Sequence, residues 1–178
     1  GLDDLLGRAI GQPEQLRLRR PGERVAQGEP MMAVVCNGRE LTLPAPVSGV
    51  IEMANERVLA EPAALGREPY EGGWIYEVKP SRLGFEIGNL AVAEVAWVWL
   101  RQQFQEFGEW LSELGSARAG LAMQDGGDPA PGALAHVDAA AFAEFRRRFV
   151  EGVQVAAPGK QAAEPVPAWA AVASTAGE

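Results

Sequence analysis

The chain has 178 residues, a hydrophobic fraction of 47% and a formal net charge of −8, enough apolar material for one ordinary domain or a small domain with appendages. The acidic balance disfavours general binding to nucleic acid or anionic membrane. One cysteine excludes an internal disulfide, and a single histidine leaves acid–base and metal chemistry few candidates. No signal peptide is read at the start and no apolar run reaches the roughly 20 residues of a spanning helix, so a soluble, cytoplasmic setting is expected.

In chain order, Gly1 to Gly11 reads as a short helix, capped by Asp3 or Asp4, apolar at Leu5, Leu6 and Ile10, and stopped by Gly11. Gln15 to Arg19 alternates as a half-buried strand, with Leu16 and Leu18 on one face. Pro21 to Arg24 is a turn, and a second turn lies within Val25 to Glu29. Met31 to Gly49, MMAVVCNGRELTLPAPVSG, then holds two apolar runs around Asn37-Gly38. That dipeptide predicts a tight hairpin, because a type I′ turn needs positive φ at both central residues. The implied pairing is Cys36 with Arg39, Val35 with Glu40, Val34 with Leu41 and Met32 with Leu43. Met32, Val34, Leu41 and Leu43 share an apolar face, whereas Ala33, Val35, Glu40 and Thr42 share a mixed one. Pro44 and Pro46 end the pairing, since neither offers a ladder donor.

Val50 to Met53 is the next strand. Between Asn55 and Ser81, Pro62 and Pro69 punctuate a loop with one helical turn. Gly72-Gly73 precedes a final strand lined by Trp74, Tyr76 and Val78. From Ile87 the period changes to that of a helix, predicted over about 87–115 with Asn89 as a cap. Trp97, Leu100, Phe104, Phe107, Leu111 and Leu114 form its heptad-like stripe. Its first half, LAVAEVAWVWL, is apolar nearly all round and must be covered. DGGDPAP (Asp125 to Pro131) is a link to a second amphipathic helix, about 138–152, with Phe142, Phe145 and Phe149 as its stripe and Arg146-Arg147-Arg148 between them. The expectation is that this helix packs back on the first, leaving the arginines in water. Residues 153–178 are Ala/Pro-rich and aperiodic, and are expected to be disordered, with Trp169 as a docking point.

The hairpin, preceded by GERVAQGEP and followed by APVSGVIEMANERVL, resembles the modified hairpin of a lipoyl domain, and more narrowly the H-protein of the glycine cleavage system. Gly22, Val25, Gly28 and Glu29 match that family's Gly-x-x-Val-x-x-Gly-Glu pattern. The ordered set Asn55, Leu59, Pro62, Leu65, Pro69, Gly72, Gly73, Trp74 and Pro80 is similar to its signature after the hairpin. The resemblance covers the first half of the chain. It implies a lipoyl-like barrel-sandwich domain over about 1–82, mainly β, followed by a helical extension over 83–152 and the tail. It also implies a role as carrier, because a lysine at the family's hairpin tip bears lipoic acid. Counting back from Ala45-Pro46-Val47-Ser48-Gly49, that lysine falls at Gly38, and its Glu-Ser-Val neighbours fall on Val35, Cys36 and Asn37. The family's earlier hairpin has no counterpart, so the chain is either clipped or lacks that element, and an absent strand leaves an edge that needs cover.

No lysine lies between Met31 and Gly49; the two in the chain are Lys79 and Lys160. Arg39 cannot substitute, because arginine stays protonated and is a poor nucleophile. Cys36 reads as a small apolar residue and His136 as a surface residue. No paired carboxylates, Ser/His/Asp set or phosphate-cradling loop stands out, so neither catalytic residues, a metal nor a cofactor is expected, lipoate included. The function expected is a non-catalytic, non-lipoylated H-protein-like subunit. It would bind other protein subunits, or a second copy, through Trp97, Leu100, Phe104, Phe107, Leu111, Leu114, Phe142, Phe145 and Phe149. The alternatives are a working lipoyl carrier in one-carbon or acyl transfer, and a peripheral membrane adaptor using Phe142 to Phe149 and the arginines, which ranks behind a protein partner.

Overall fold

The computed structural model describes residues 1–67, 72–117 and 129–151. Among these, six strands form two antiparallel three-stranded sheets in the first half, and helices make up the second, as the sequence predicted. The strands are β1 (Gln15–Leu18), β2 (Arg24–Val25), β3 (Pro30–Cys36), β4 (Arg39–Pro44), β5 (Gly49–Ala54) and β6 (Tyr76–Pro80). One sheet runs β1-β3-β4, the other β2-β5-β6.

Local chemistry explains the entry to this half. Asp3, not Asp4, caps α1 (Asp4–Ile10): its carboxylate accepts the Leu6 N–H at 2.8 Å. Gly11 ends the helix at φ 72°, where a side chain would be strained. The β3–β4 hairpin pairs in the predicted register, Cys36 with Arg39, Val35 with Glu40, Val34 with Leu41 and Met32 with Leu43. Asn37 and Gly38 take φ of 49° and 70°, the left-handed pair that a type I′ turn demands. Strict alternation breaks once, at a bulge between Pro30 and Met32. The extra residue lets Met31 join Val25, Ala45 and Ile51 in a small second cluster while Met32 packs on the main core. Tyr76 ties the sheets together: its hydroxyl accepts the Arg19 N–H at 2.6 Å and donates to the Met31 carbonyl at 3.0 Å.

Two sequence expectations change in the second half. The loop after β5 holds two helical pieces rather than one turn, α2 (Glu56–Ala60) and α3 (Ala64–Arg67). The buried Asn55 caps α2 through the Arg57 N–H at 3.0 Å, and its amide donates to the carbonyls of Gly72 (3.0 Å) and Trp74 (2.7 Å). Pro62, which has no N–H to donate, separates the pieces. The expectation for Pro69 falls outside the described residues. Trp74 precedes β6 rather than lying in it, and is half-buried.

The long helix also starts later than predicted. Leu83–Glu86 forms α4, Ile87–Asn89 a single 3-10 turn, and α5 runs Ala93–Ala117, so Asn89 caps nothing. Ala93 sits at φ 52°, a left-handed kink that divides the two stretches. No single described helix is long and apolar enough to cross a membrane; only the bent pair Leu83–Asn89 and Ala93–Gly115 reaches that length and composition together. The second predicted helix is α6 (Ala139–Phe145), capped by Asp138 at the Ala141 N–H (2.8 Å) and continued by a π-turn over Arg146–Glu151. Of the predicted link, 118–128 lie outside the described residues, as does the tail from 152.

The main core crosses the expected boundary at 82. Leu5, Val34, Leu41, Val58 and Ile75 from the first half share one buried cluster with Phe107, Trp110, Leu134 and Phe145. At its centre Phe107 meets Phe145 edge-on at 5.5 Å and Phe149 edge-on at 5.6 Å, and stacks with Trp110 at 5.8 Å. The packing of the second helix against the first is thus as expected from the sequence.

Candidate functional site

The hairpin tip is the first place to look, because the sequence puts its most specific signal there. Asn37-Gly38 is a bare backbone bend, and a Cβ built on Gly38 meets nothing within 4 Å. Around it, however, the tip is engaged. The Asn37 amide donates to the Ala135 carbonyl at 2.7 Å, and the Arg39 guanidinium donates to the Asp138 carbonyl at 3.5 Å. That guanidinium lies 5.5 Å from the centre of the Phe142 ring, a cation–π distance. The Gly38 N–H reaches Glu14 at 3.4 Å. Cys36, immediately before the turn, is buried; burial first, and then the Glu14 charge, push its thiol up and outweigh the pull of Arg39. A protonated, enclosed thiol is a poor nucleophile, which agrees with its reading as a small apolar residue.

Lys79, the lysine among the described residues, is not at the tip. Lys79 pairs with Val50 on β6, in the other sheet, and Lys160 lies outside the described residues. His136 is exposed, as read.

The nine residues assigned to an interaction surface separate into three groups. Phe107, Leu111, Phe142, Phe145 and Phe149 are buried in the intramolecular core. Leu100, Phe104 and Leu114 pack against that core half-buried. Trp97 alone is widely open, at 66%. The correction is physical: α6 and its π-turn pack on the stripe of α5 from within the same chain, so that of the stripe only Trp97 keeps a free face for another protein. The same burial removes Phe142, Phe145 and Phe149 from contact with a bilayer, while Arg146 to Arg148 stay exposed.

Exposed apolar side chains do remain, in the stretch that leads into α5 and in its first turns. Phe85 is 85% exposed, and Leu83, Ile87, Val95 and Val98 stand open with Trp97 on α4 and the first turns of α5. The apolar run LAVAEVAWVWL was the signal for it, but sequence periodicity could not say which half of α5 α6 would cover. The buried Glu86 was not foreseen. Its carboxylate accepts the Ser48 N–H at 2.7 Å and the Ser48 hydroxyl at 2.6 Å. These two bonds, the hydroxyl first, hold its carboxyl below the usual range against the opposing effect of burial, with help from Arg82. Ser48 also accepts the Gln27 N–H at 2.8 Å, so one serine binds the β2–β3 turn, β5 and α4. Between the sheets and α5 lies a cavity of about 430 Å³, lined by Leu6, Met32, Leu43, Ile75, Trp99 and Val150 among others. Among the described residues no group of three or more His, Cys, Asp or Glu is placed to hold a metal.

Known proteins similar to this chain include several glycine cleavage system H proteins. The chain is 33% identical over 81 residues to the probable glycine cleavage system H protein 2 of Sulfolobus acidocaldarius, covering 46% of this chain and 54% of that one. It is 26% identical over 105 residues to glycine cleavage system H protein 2 of Aquifex aeolicus, covering 59% and 65%. With the probable glycine cleavage system H protein of Pyrococcus abyssi it shares 31% over 94 residues, covering 53% and 69%. The crystal structure of a glycine cleavage system H protein from Mycobacterium marinum is 32% identical, with a TM-score of 0.44, covering 46% of this chain and 64% of that one. The chain thus spans a little over half to about two thirds of the length of these relatives. The glycine cleavage H-protein model matches residues 1–98, more than half of the 178, and the chain therefore belongs to the glycine cleavage H-protein family.

Proposed function

We propose that this protein is a non-lipoylated member of its family, a non-catalytic subunit that works by binding other proteins. The observation that carries this reading is the chemistry of the hairpin tip. Acylation needs a primary amine, and Asn37-Gly38 supplies only a backbone bend, flanked by an always-charged arginine and a buried thiol. Lys79, in the other sheet, is paired through its backbone. A swinging arm therefore has no attachment point at the place where the resemblance puts one. Protein binding is supported by the run of exposed large apolar side chains between Leu83 and Val98, more than a folded protein ordinarily leaves open in so short a stretch. The setting consistent with this role is cytoplasmic, with other subunits of the glycine cleavage type as partners.

Intact mass tests the first half of the reading. The protein, co-produced with a lipoylating enzyme and lipoate, is expected to keep its unmodified mass; a lipoyl adduct at any residue overturns it.

A further inference from the structure

The cavity of about 430 Å³ between the sheets and α5 lies away from the hairpin tip. We infer that it is a binding site for a small ligand, an uncharged alkyl chain of medium length, which enters past Asn89 and Val92. The cavity falls within the range of small-molecule pockets, about 300–1,000 Å³, and its wall is mostly apolar. Such a site is independent of the missing amine and of protein binding.

The cavity is built at the base of the hairpin. Met31 and Met32 of β3, and Leu43 and Pro44 of β4, line it from the strand ends remote from Asn37-Gly38. In a regular strand two consecutive side chains point to opposite faces. The bulge between Pro30 and Met32 relaxes that rule, and both methionines reach the cavity. Their unbranched thioethers adapt to the shape of an apolar guest. Another wall is Leu90 to Val92, the non-helical break before α5. Helix resumes only at Ala93, whose φ of 52° is unfavourable to a residue with a Cβ. Asn89 and Val92 line the cavity and are themselves exposed, so it opens to solvent at this break.

The wall selects against charge. Among the described residues no lysine, arginine or histidine lines the cavity, and Asp3 is its one carboxyl group. The three titratable groups in the wall lean toward their uncharged forms, with burial the largest cause in each. The Asp3 carboxyl and the Tyr76 hydroxyl are pushed up, and the Gly1 amine down. The Tyr76 hydroxyl is already engaged by the Arg19 N–H and the Met31 carbonyl. An anionic head group finds no cation there, and a charge of either sign loses water, whereas an alkyl chain meets apolar side chains.

The probes are n-octanol and octanoate, which share a chain length and differ in charge, titrated calorimetrically into the full chain near neutral pH. n-Octanol is expected to bind saturably at a single site and to raise the melting temperature, as a ligand of the folded state must. Octanoate is expected to bind at least tenfold more weakly. Leu90→Trp, which fills the cavity from its non-helical wall, is expected to weaken n-octanol binding at least tenfold. Phe85→Ser with Trp97→Ser, which removes exposed apolar side chains outside the cavity, is expected to leave it unchanged. Absence of saturable binding overturns the inference, and so does octanoate binding as tightly as n-octanol. Binding that survives L90W, or that is lost in F85S/W97S, also overturns it, because the site is then elsewhere. If L90W melts as an unfolded protein, Val92→Trp at the exposed mouth replaces it and is judged by the same outcomes.

Discussion

Single residues decide how the two halves are joined. Ser48 ends the hairpin's return path, and its N–H and hydroxyl both face the Glu86 carboxylate from α4. Charge-assisted bonds of this length are about twice as strong as neutral ones. Because the folded-state pKa of Glu86 lies below its unfolded value, its stabilisation is present above the ordinary glutamate range and is lost as pH falls through the folded value. The thermal midpoint of the wild type is therefore expected to drop as pH falls below the ordinary glutamate range, and Glu86→Gln to show a shallower drop from a lower plateau. Identical pH profiles for the two proteins count against the bridge. Asn55 plays a comparable part inside the first half, capping α2 while its amide holds the carbonyls of Gly72 and Trp74. Neither residue announces this in sequence, since a serine and a glutamate 38 positions apart carry no mutual signal.

Elements show where a glycine is required and where it is only convenient. In β5, a Cβ on Gly49 would lie 2.3 Å from the Lys79 carbonyl oxygen and 2.8 Å from Val78 Cγ1. Backbone cannot yield there without parting β5 from β6. In the hairpin, Gly38 faces open space and needs only its positive φ. Gly49→Ala is expected to cost about 3 kcal/mol, as overpacking against backbone does. Gly38→Ala is expected to cost about 1 kcal/mol for the left-handed conformation alone. Urea titrations of both variants check this; equal costs would mean that the β5–β6 approach is looser than described. The hairpin itself was readable at this scale, because Asn37-Gly38 admits one turn type and that turn fixes the register of every pair behind it. The start of α5 was not. Apolar period continues smoothly through Ile87 to Leu100, and nothing local marks the kink at Ala93.

At the scale of the whole molecule, one core joins sheets and helices, and what it leaves uncovered is the surface around Phe85 and Trp97. An apolar dye is expected to bind the wild type there. Phe85→Ser with Trp97→Ser is expected to lose most of that binding while the melting temperature stays within about 2 °C, since neither side chain belongs to the core. Undiminished dye binding would place the open apolar surface elsewhere, for instance at the cavity of about 430 Å³ beside Trp99.

Sequence by itself determined the elements with strong local codes: the capped and glycine-stopped α1 and the tight hairpin. Those signals are written within a few residues, so chain order suffices to read them. Tertiary structure alone decided which apolar stripe is core and which is surface. Phe107 and Trp97 lie on one helix with the same chemistry, and only the placement of α6 buries the first at 0% and leaves the second at 66%. It likewise decided that Asn37 bonds the Ala135 carbonyl, nearly a hundred positions away, an approach set by packing against α1 that no local pattern encodes.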